Sequence, residues 1–181
     1  TVATTVTAAP TVTVTMLPHG HSRLTVEKHD MFRDFAMVSE ENDNPAVPLL
    51  WRQTSTSFGI FPNLVVPMDT GAFTFLCMWP TSDTTTELEL RWYAPAWAGE
   101  EVPQEHLDRM TLFETVMAQD QANMAPIQES VSSKGARPFQ LGWHERLIHH
   151  FERAVDLAIG PDDLPPGTAA SDALDRFVEP I

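Results

Sequence analysis

The first half of the chain alternates apolar and polar residues with a period of two, which is typical of strands that bury one face and expose the other. The alternation is clearest in TTTELELRWY, where leucine and tryptophan alternate with charged residues, and it recurs over residues 11–16 and 22–26. FGIFPNLVV and AFTFLCMW are also predicted to be extended, with turns at MDTG and PTSD. Together these segments predict an antiparallel sheet.

The last third of the chain changes to a helical period. Pro103 opens a helix that continues through HLDRMTLFETVMAQ, and Pro126, which cannot donate to the carbonyl of Ala122, is expected to kink or restart it. LGWHERLIHHFERAVDLAI predicts a final amphipathic helix that ends at Gly160. Strands followed by helices predict an α+β fold. Residues 1–160 are assigned to one domain, and residues 161–181 are assigned to a C-terminal tail on its surface.

One carboxylate interrupts the apolar stripe of the long helix. Apolar residues at positions 113, 117, 124, 127 and 131 share a helix face with Asp120, and no Lys or Arg lies one turn away from it. In one interpretation the helix rotates near Pro126, so that the carboxylate reaches solvent or binds freed backbone amides. In the other, its partner is a metal cation, because a carboxylate on a rigid element is a suitable oxygen ligand. Helical periodicity does not separate these interpretations.

Charge and composition exclude several classes of function. The chain has 11 Lys and Arg against 25 Asp and Glu, a net charge of -14, which disfavours nucleic acids and anionic membranes as partners. No segment reaches the length of a membrane span, and the first residues do not resemble a signal peptide, so a cytoplasmic protein is expected. The single Cys77 is predicted to be a buried thiol, and it cannot form an internal disulfide or a two-cysteine metal centre.

The histidines are weak metal-site candidates by their spacing. His144 and His149 are five residues apart, which is about 500° around a helix, so the two rings do not share a face. They are expected on the helix surface, with His150 partly covered. His19 and His21 alternate as strand residues do and could bind a metal together, although the Pro and Gly around them also predict a simple turn.

The order of several segments resembles a known family. GHS, GIFPNLVV, CMWP, TSDTTTELELRWYAP, QDQANMAPIQESVSS and WHERLIHHF follow one another as in the C-terminal part of the catalytic domain of Rieske-type aromatic-ring-hydroxylating oxygenase large subunits. The resemblance spans about residues 17–159. It implies a helix-grip fold, in which an antiparallel sheet grips long C-terminal helices around an apolar cavity, here as an incomplete domain.

The resemblance also implies roles for individual residues. In the family, two histidines and one aspartate hold a mononuclear Fe(II), and Asp120 in QDQANMAPIQ matches the aspartate. Ser57, Trp79, Phe113 and Val116 resemble substrate-binding pocket walls. For each of these four, plain core packing is the alternative interpretation.

Two departures from the family pattern predict that the chain is inactive alone. The family's histidine pair lies upstream of the GHS segment, where residues 1–16 contain no histidine. The ligands of the Rieske two-iron cluster are also absent, since one cysteine cannot supply them. Three hypotheses follow: a fragment of a large subunit, a complementing piece of a split oxygenase, or a metal-free module that binds a hydrophobic ligand.

For the complete protein, the resemblance implies hydroxylation of an apolar, aromatic substrate with O2 and electrons from NAD(P)H. A ferredoxin or reductase would deliver the electrons, and the large subunits would assemble as a homotrimer. The sequence itself identifies neither the substrate nor the number of oxygen atoms transferred.

Overall fold

The fold is an antiparallel sheet followed by helices. The computed structural model describes residues 12–27, 52–68, 72–135, 139–160 and 162–180, together with the single residues 46, 48 and 137. The strands are β1 (Val12–Met16), β2 (Ser22–Glu27), β3 (Thr54–Ile60), β4 (Leu64–Met68), β5 (Phe73–Ser82) and β6 (Thr85–Tyr93). The helices are α1 (Gln104–Gln121), α2 (Met124–Val131) and α3 (Arg146–Ile159). The α+β prediction is confirmed.

The six strands form one meander, in which each strand pairs antiparallel with the next. Successive side chains point to opposite faces, so the pairing registers define two faces across the sheet. We call one of them the helix face, since α1 packs on it, and the other the outer face. The helix face carries mostly apolar residues, among them Val14, Leu24, Val65, Leu76, Leu90 and Trp92. The outer face is buried near the middle of the sheet, at Thr15, Thr56 and Val66, and carries Trp79, Glu89 and Arg91 toward the last strand.

The helix α1 meets the sheet at its last strand. The rings of Trp92 and Phe113 pack edge to face with centroids 5.2 Å apart. Neither α1 nor α2 contains a buried residue, and Met124 and Ile127 are 56% and 48% exposed. The prediction that the apolar stripe is a buried face is therefore wrong along α2, whereas Phe113 and Met117 on α1 are half-buried. Periodicity identifies the residues that share a face, but burial requires a second layer, which the described residues do not provide along α2.

Two turns differ from the sequence prediction. GIFPNLVV is not one strand, since residues 61–63 form a turn between β3 and β4. Pro62 has no amide to donate to a ladder, and the amide of Phe61 donates to His21 Nδ1 over 3.1 Å. The ladder of β5 and β6 shifts register after Pro80, so β5 continues through most of PTSD. The predicted turn at MDTG lies almost entirely outside the described residues.

The predicted break in the long helix is confirmed. α1 ends at Gln121 and α2 begins at Met124, with Pro126 in its first turn. The amide of Asn123 donates to the carbonyl of Asp120 over 3.1 Å, which tightens the last turn of α1. In the described part of the chain, no helix is long and apolar enough to cross a membrane.

The final helix is confirmed, although it begins later than predicted. A 3-10 turn, Trp143–Glu145, precedes α3. The amide of Gly142 donates to Glu145 Oε2 over 2.7 Å, which satisfies one of the free donors at this helix start. The helix ends at Gly160, whose φ of +100° suits glycine.

Contacts with the turn between β1 and β2 anchor α3 to the sheet. His150 is buried, and its Nε2 lies 2.8 Å from the carbonyl oxygen of Leu17 and 3.1 Å from that of His21. Because both neighbours are acceptors, the nitrogen carries the proton and donates. Gly20 in this turn has a φ of +78°, and a Cβ there would overlap the side chain of Ala154. The close approach of helix and turn therefore requires glycine.

The C-terminal tail lies against α3 and β1. The amide of Ala170 donates to Asp156 Oδ2 over 2.6 Å, and the amide of Glu179 donates to the carbonyl of Met16 over 2.9 Å. Val178 forms a parallel bridge with Met16. These contacts tie the tail to the sheet, whereas the assignment of residues 161–181 as a unit separate from the domain stays a prediction.

Candidate functional site

The carboxylate of Asp120 lies at the surface, near the end of α1. The residue is exposed, and no side chain among the described residues bonds its carboxylate. Water therefore solvates the charge, so the helix does not have to bury an unpaired carboxylate. The break after Gln121 places this group in the last turn of α1. Its role as a metal ligand stays a prediction.

The four predicted pocket residues divide between the two faces of the sheet. Ser57 lies on the helix face by its register, and Phe113 packs against Trp92 on the same side. Trp79 lies on the outer face and is 48% exposed. Val116 lies on α1 and is 38% exposed. A pocket on the helix face can therefore include Ser57 and Phe113 but not Trp79, and substrate binding by any of the four stays a prediction.

A charged network holds Trp79 on the outer face. Its indole Nε1 donates to Glu89 Oε2 over 3.1 Å, and Arg91 Nε donates to Glu89 Oε1 over 2.7 Å. The hydrogen bond from Arg91 and then that from Trp79 lower the pKa of the Glu89 carboxyl below the ordinary value of 4.5. The same contact raises the pKa of Arg91. The indole is thus bound to a carboxylate on a solvated surface, which is a different setting from a closed apolar pocket.

The histidines near the start of the sheet serve as turn residues. His19 lies in the 3-10 turn with a φ of 60°, and His21 Nδ1 accepts the amide of Phe61. The predicted turn is therefore confirmed.

His149 Nε2 lies 3.5 Å from Ser171 Oγ, and His150 is better covered than its sequence indicated. Cys77 is half-buried and free, rather than fully buried as predicted.

A cavity between the end of β6 and the start of α1 was missed by sequence reasoning. It has a volume of about 140 Å³, and Trp97, His106 and Met110 are among its lining residues. Two of its tryptophans come from the segment RWYAPAWAG, immediately before the helix. One sequence signal could have indicated this cavity: a histidine in the first turn of the helix that follows this aromatic segment.

Comparison with known families decides which fold family the chain represents. A model described as ring hydroxylating alpha subunit (catalytic domain) matches residues 17–160. The chain belongs to this ring-hydroxylating alpha subunit family. The match confirms the resemblance carried by the segments from GHS to WHERLIHHF, and the antiparallel sheet with its helices agrees with the helix-grip fold of the family domain. No curated protein and no solved structure matches the chain.

Membership of the ring-hydroxylating alpha subunit family implies a non-haem iron and a Rieske cluster in the full-length subunit. Across residues 12–27, 52–68, 72–135, 139–160 and 162–180, no group of three or more His, Cys, Asp or Glu could hold a metal ion. A facial iron site needs three protein ligands close together. The described residues therefore do not form the iron site by themselves, and Asp120 is a candidate for one ligand of a shared site.

Proposed function

We propose that this chain is the C-terminal part of an oxygenase large subunit's catalytic domain and functions together with a polypeptide segment that carries two iron-binding histidines. The proposal rests chiefly on α1 and α2, because exposed Asp120 lies in the last turn of α1 and the exposed apolar residues Met124, Ile127 and Val131 lie on α2, which begins three residues after α1 ends. Large exposed apolar stripes are typical of surfaces that another protein element covers. A segment that docked on this stripe would bring its own side chains next to Asp120.

In this proposal, the complete protein hydroxylates an apolar, aromatic substrate with O2 and electrons from NAD(P)H. A ferredoxin or reductase delivers the electrons, and large subunits assemble as a homotrimer. The family match supports the reaction class, since the matched domain is the catalytic domain of ring-hydroxylating subunits. The helix face of the sheet supports an apolar substrate, because β5 and β6 present Leu76, Leu90 and Trp92 on the side where Phe113 of α1 packs.

Asp120 contributes the anionic oxygen ligand of the iron in this proposal. Its exposed position at the end of α1 leaves the carboxylate available to a cation, and the carboxylate compensates part of the positive charge of Fe(II). Ser57 and Phe113 form part of the substrate wall, since both lie on the helix face. Val116 lies one turn before Asp120 on α1 and joins this wall, whereas Trp79 lies outside it.

Iron content of the assembled oxygenase tests the role of Asp120. The Asp120→Asn variant should lose most of its iron and its hydroxylation activity, because loss of one of three protein ligands weakens a facial site strongly. Asp108→Asn is the matched control, since Asp108 is also an exposed aspartate on α1. Iron would be measured by mass spectrometry of the purified assembly. Equal iron and turnover in the two variants would contradict the assignment and favour a metal-free ligand-binding module.

A further inference from the structure

The last strand of the sheet has one free edge among the described residues. β6 stands at the end of the strand order and pairs with β5 alone. The neighbouring ladder shows which backbone groups of β5 reach β6. The amide of Met78 donates to the carbonyl of Asn63, so the backbone groups of Met78 point toward β4. Because these groups alternate in direction along a strand, those of Cys77 point toward β6.

The same alternation identifies the backbone groups on the free edge of β6. Cys77 lies opposite Glu89, so the amide and carbonyl of Glu89 bond to β5. The amides and carbonyls of Leu88, Leu90 and Trp92 therefore point away from β5. Within the described part of the chain, no backbone group of these three residues bonds to another element. A row of such groups on an edge strand is a template for a further strand.

The sequence of β6 is complementary to itself in one antiparallel register. When Leu90 lies opposite its own copy, Leu88 lies opposite Trp92, and Glu89 lies opposite Arg91. Sliding one strand by two residues would place Glu89 opposite Glu89, or Arg91 opposite Arg91, and like charges in direct opposition are destabilising. Sliding by one residue would bring the helix face of one copy against the outer face of the other. One register thus satisfies both the charges and the faces.

We propose that β6 pairs with β6 of a second copy of this chain, about a two-fold axis that passes through Leu90. The outward backbone groups of Leu88, Leu90 and Trp92 bond to those of the second copy, so that the two six-stranded sheets become one. Glu89 and Arg91 occupy the positions between these bonded pairs, where opposing side chains are closest. The Glu89–Arg91 ion pair within each copy is 2.7 Å long, and it gains an opposite charge across the axis.

This pairing is independent of the proposed function. It uses neither Asp120 nor the exposed residues of α2, and it requires no iron and no histidine-carrying segment. A two-fold pair also differs in mass from the proposed homotrimer. Failure of one proposal therefore leaves the other intact.

Charge reversal on β6 tests the pairing. Sedimentation of the full chain over a concentration series should show a dimer. Arg91→Glu places a carboxylate opposite Glu89 on both sides of the axis, and it should weaken dimerisation about tenfold. Glu89→Arg should weaken it similarly, because it opposes two guanidinium groups. Glu152→Arg, an equal charge change at an exposed position of α3, is the control and should leave the dimer unchanged.

An equimolar mixture of Glu89→Arg and Arg91→Glu should dimerise again. One copy then carries two cations at these positions and the other carries two anions, so opposite charges face each other across the axis. The mixture does not restore the Glu89–Arg91 ion pair within either copy. Recovery of the dimer would therefore come from contacts between copies and not from repair of the hairpin.

Hydrogen exchange locates the interface on β6. The amides of Leu88, Leu90 and Trp92 should become protected as the concentration of the chain rises, whereas that of Glu89, which bonds to β5, should be protected throughout. The proposal is overturned by a chain that stays monomeric at its highest soluble concentration, or by a mixture no more dimeric than either variant alone. Protection of the three amides that does not depend on concentration would also overturn it, since another part of the same chain would then cover the edge.

Discussion

At the scale of single residues, buried His150 joins parts of the chain that are far apart in sequence. Its Nε2–H donates to the carbonyls of Leu17 and His21, and His21 in turn accepts the amide of Phe61. One helix, one 3-10 turn and the turn after β3 are therefore connected through two imidazoles. Such a linkage is sensitive to substitution, since the carbonyls that lose their donor stay partly buried.

His150→Leu should lower the free energy of unfolding by about 1–3 kcal/mol, because it removes the side-chain donor from the carbonyl of Leu17, while the carbonyl of His21 keeps only the amide of Leu17. Urea denaturation followed by circular dichroism would measure the change. His144→Leu is the control at an exposed position, where an effect within about 0.5 kcal/mol is expected. Similar losses of unfolding free energy in both variants would show that the hydrogen bonds of His150 do not stabilise the contact between α3 and the turn that joins β1 to β2.

At the scale of elements, the β5–β6 hairpin carries a pH-dependent contact. The pKa of Glu89 lies below 4.5, chiefly because of the hydrogen bond from Arg91. A lowered pKa in the folded chain means that the contact stabilises the hairpin above the ordinary value of 4.5 and is lost as the pH falls through the lower, folded value. Both side chains are solvent-exposed, so the contribution is small and sensitive to salt.

The titration midpoint of Glu89 checks this contact directly. NMR of its side-chain carboxyl carbon should give a midpoint below 4.5, and Arg91→Gln should raise that midpoint, because it removes the largest cause of the shift. Trp79 fluorescence should change over the same pH range as the indole loses its charged acceptor. A midpoint that did not move in Arg91→Gln would contradict the assigned cause.

The sequence predicted strands and helices better than it predicted which residues pack around them. Alternation at Leu88 and Leu90 identified β6, and Pro126 identified the helix restart, because both signals are local. The turn at residues 61–63 was missed although Pro62 and Asn63 are turn formers, because the apolar residues of FGIF and LVV on either side indicated one continuous strand. Trp79 was grouped with Ser57 because only the pairing register shows that they lie on opposite faces.

At the scale of the whole molecule, exposed apolar residues mark the surfaces that the chain does not bury by itself. An assembly would bury these surfaces. Periodicity predicted that Met124 and Ile127 share a helix face, but it could not show that both residues are exposed. The stripe meets the helix face of the sheet at Phe113, whose ring packs against Trp92 of β6. In the proposed assembly, a segment docked on the exposed residues of α2 would cover them.

A charge on the stripe should therefore weaken assembly without weakening the chain. Ile127→Glu should reduce affinity for the histidine-carrying segment at least tenfold, since a buried carboxylate at the interface would lack a partner. The variant's own free energy of unfolding should change by less than about 0.5 kcal/mol, because Ile127 is already exposed.

Leu157→Glu, an equivalent change at an exposed position of α3, is the control and should leave the affinity unchanged. Affinity would be measured by calorimetry with the separately purified segment. Equal binding by both variants would move the docking surface away from the α1–α2 unit, and with it the reason for placing the histidines next to Asp120.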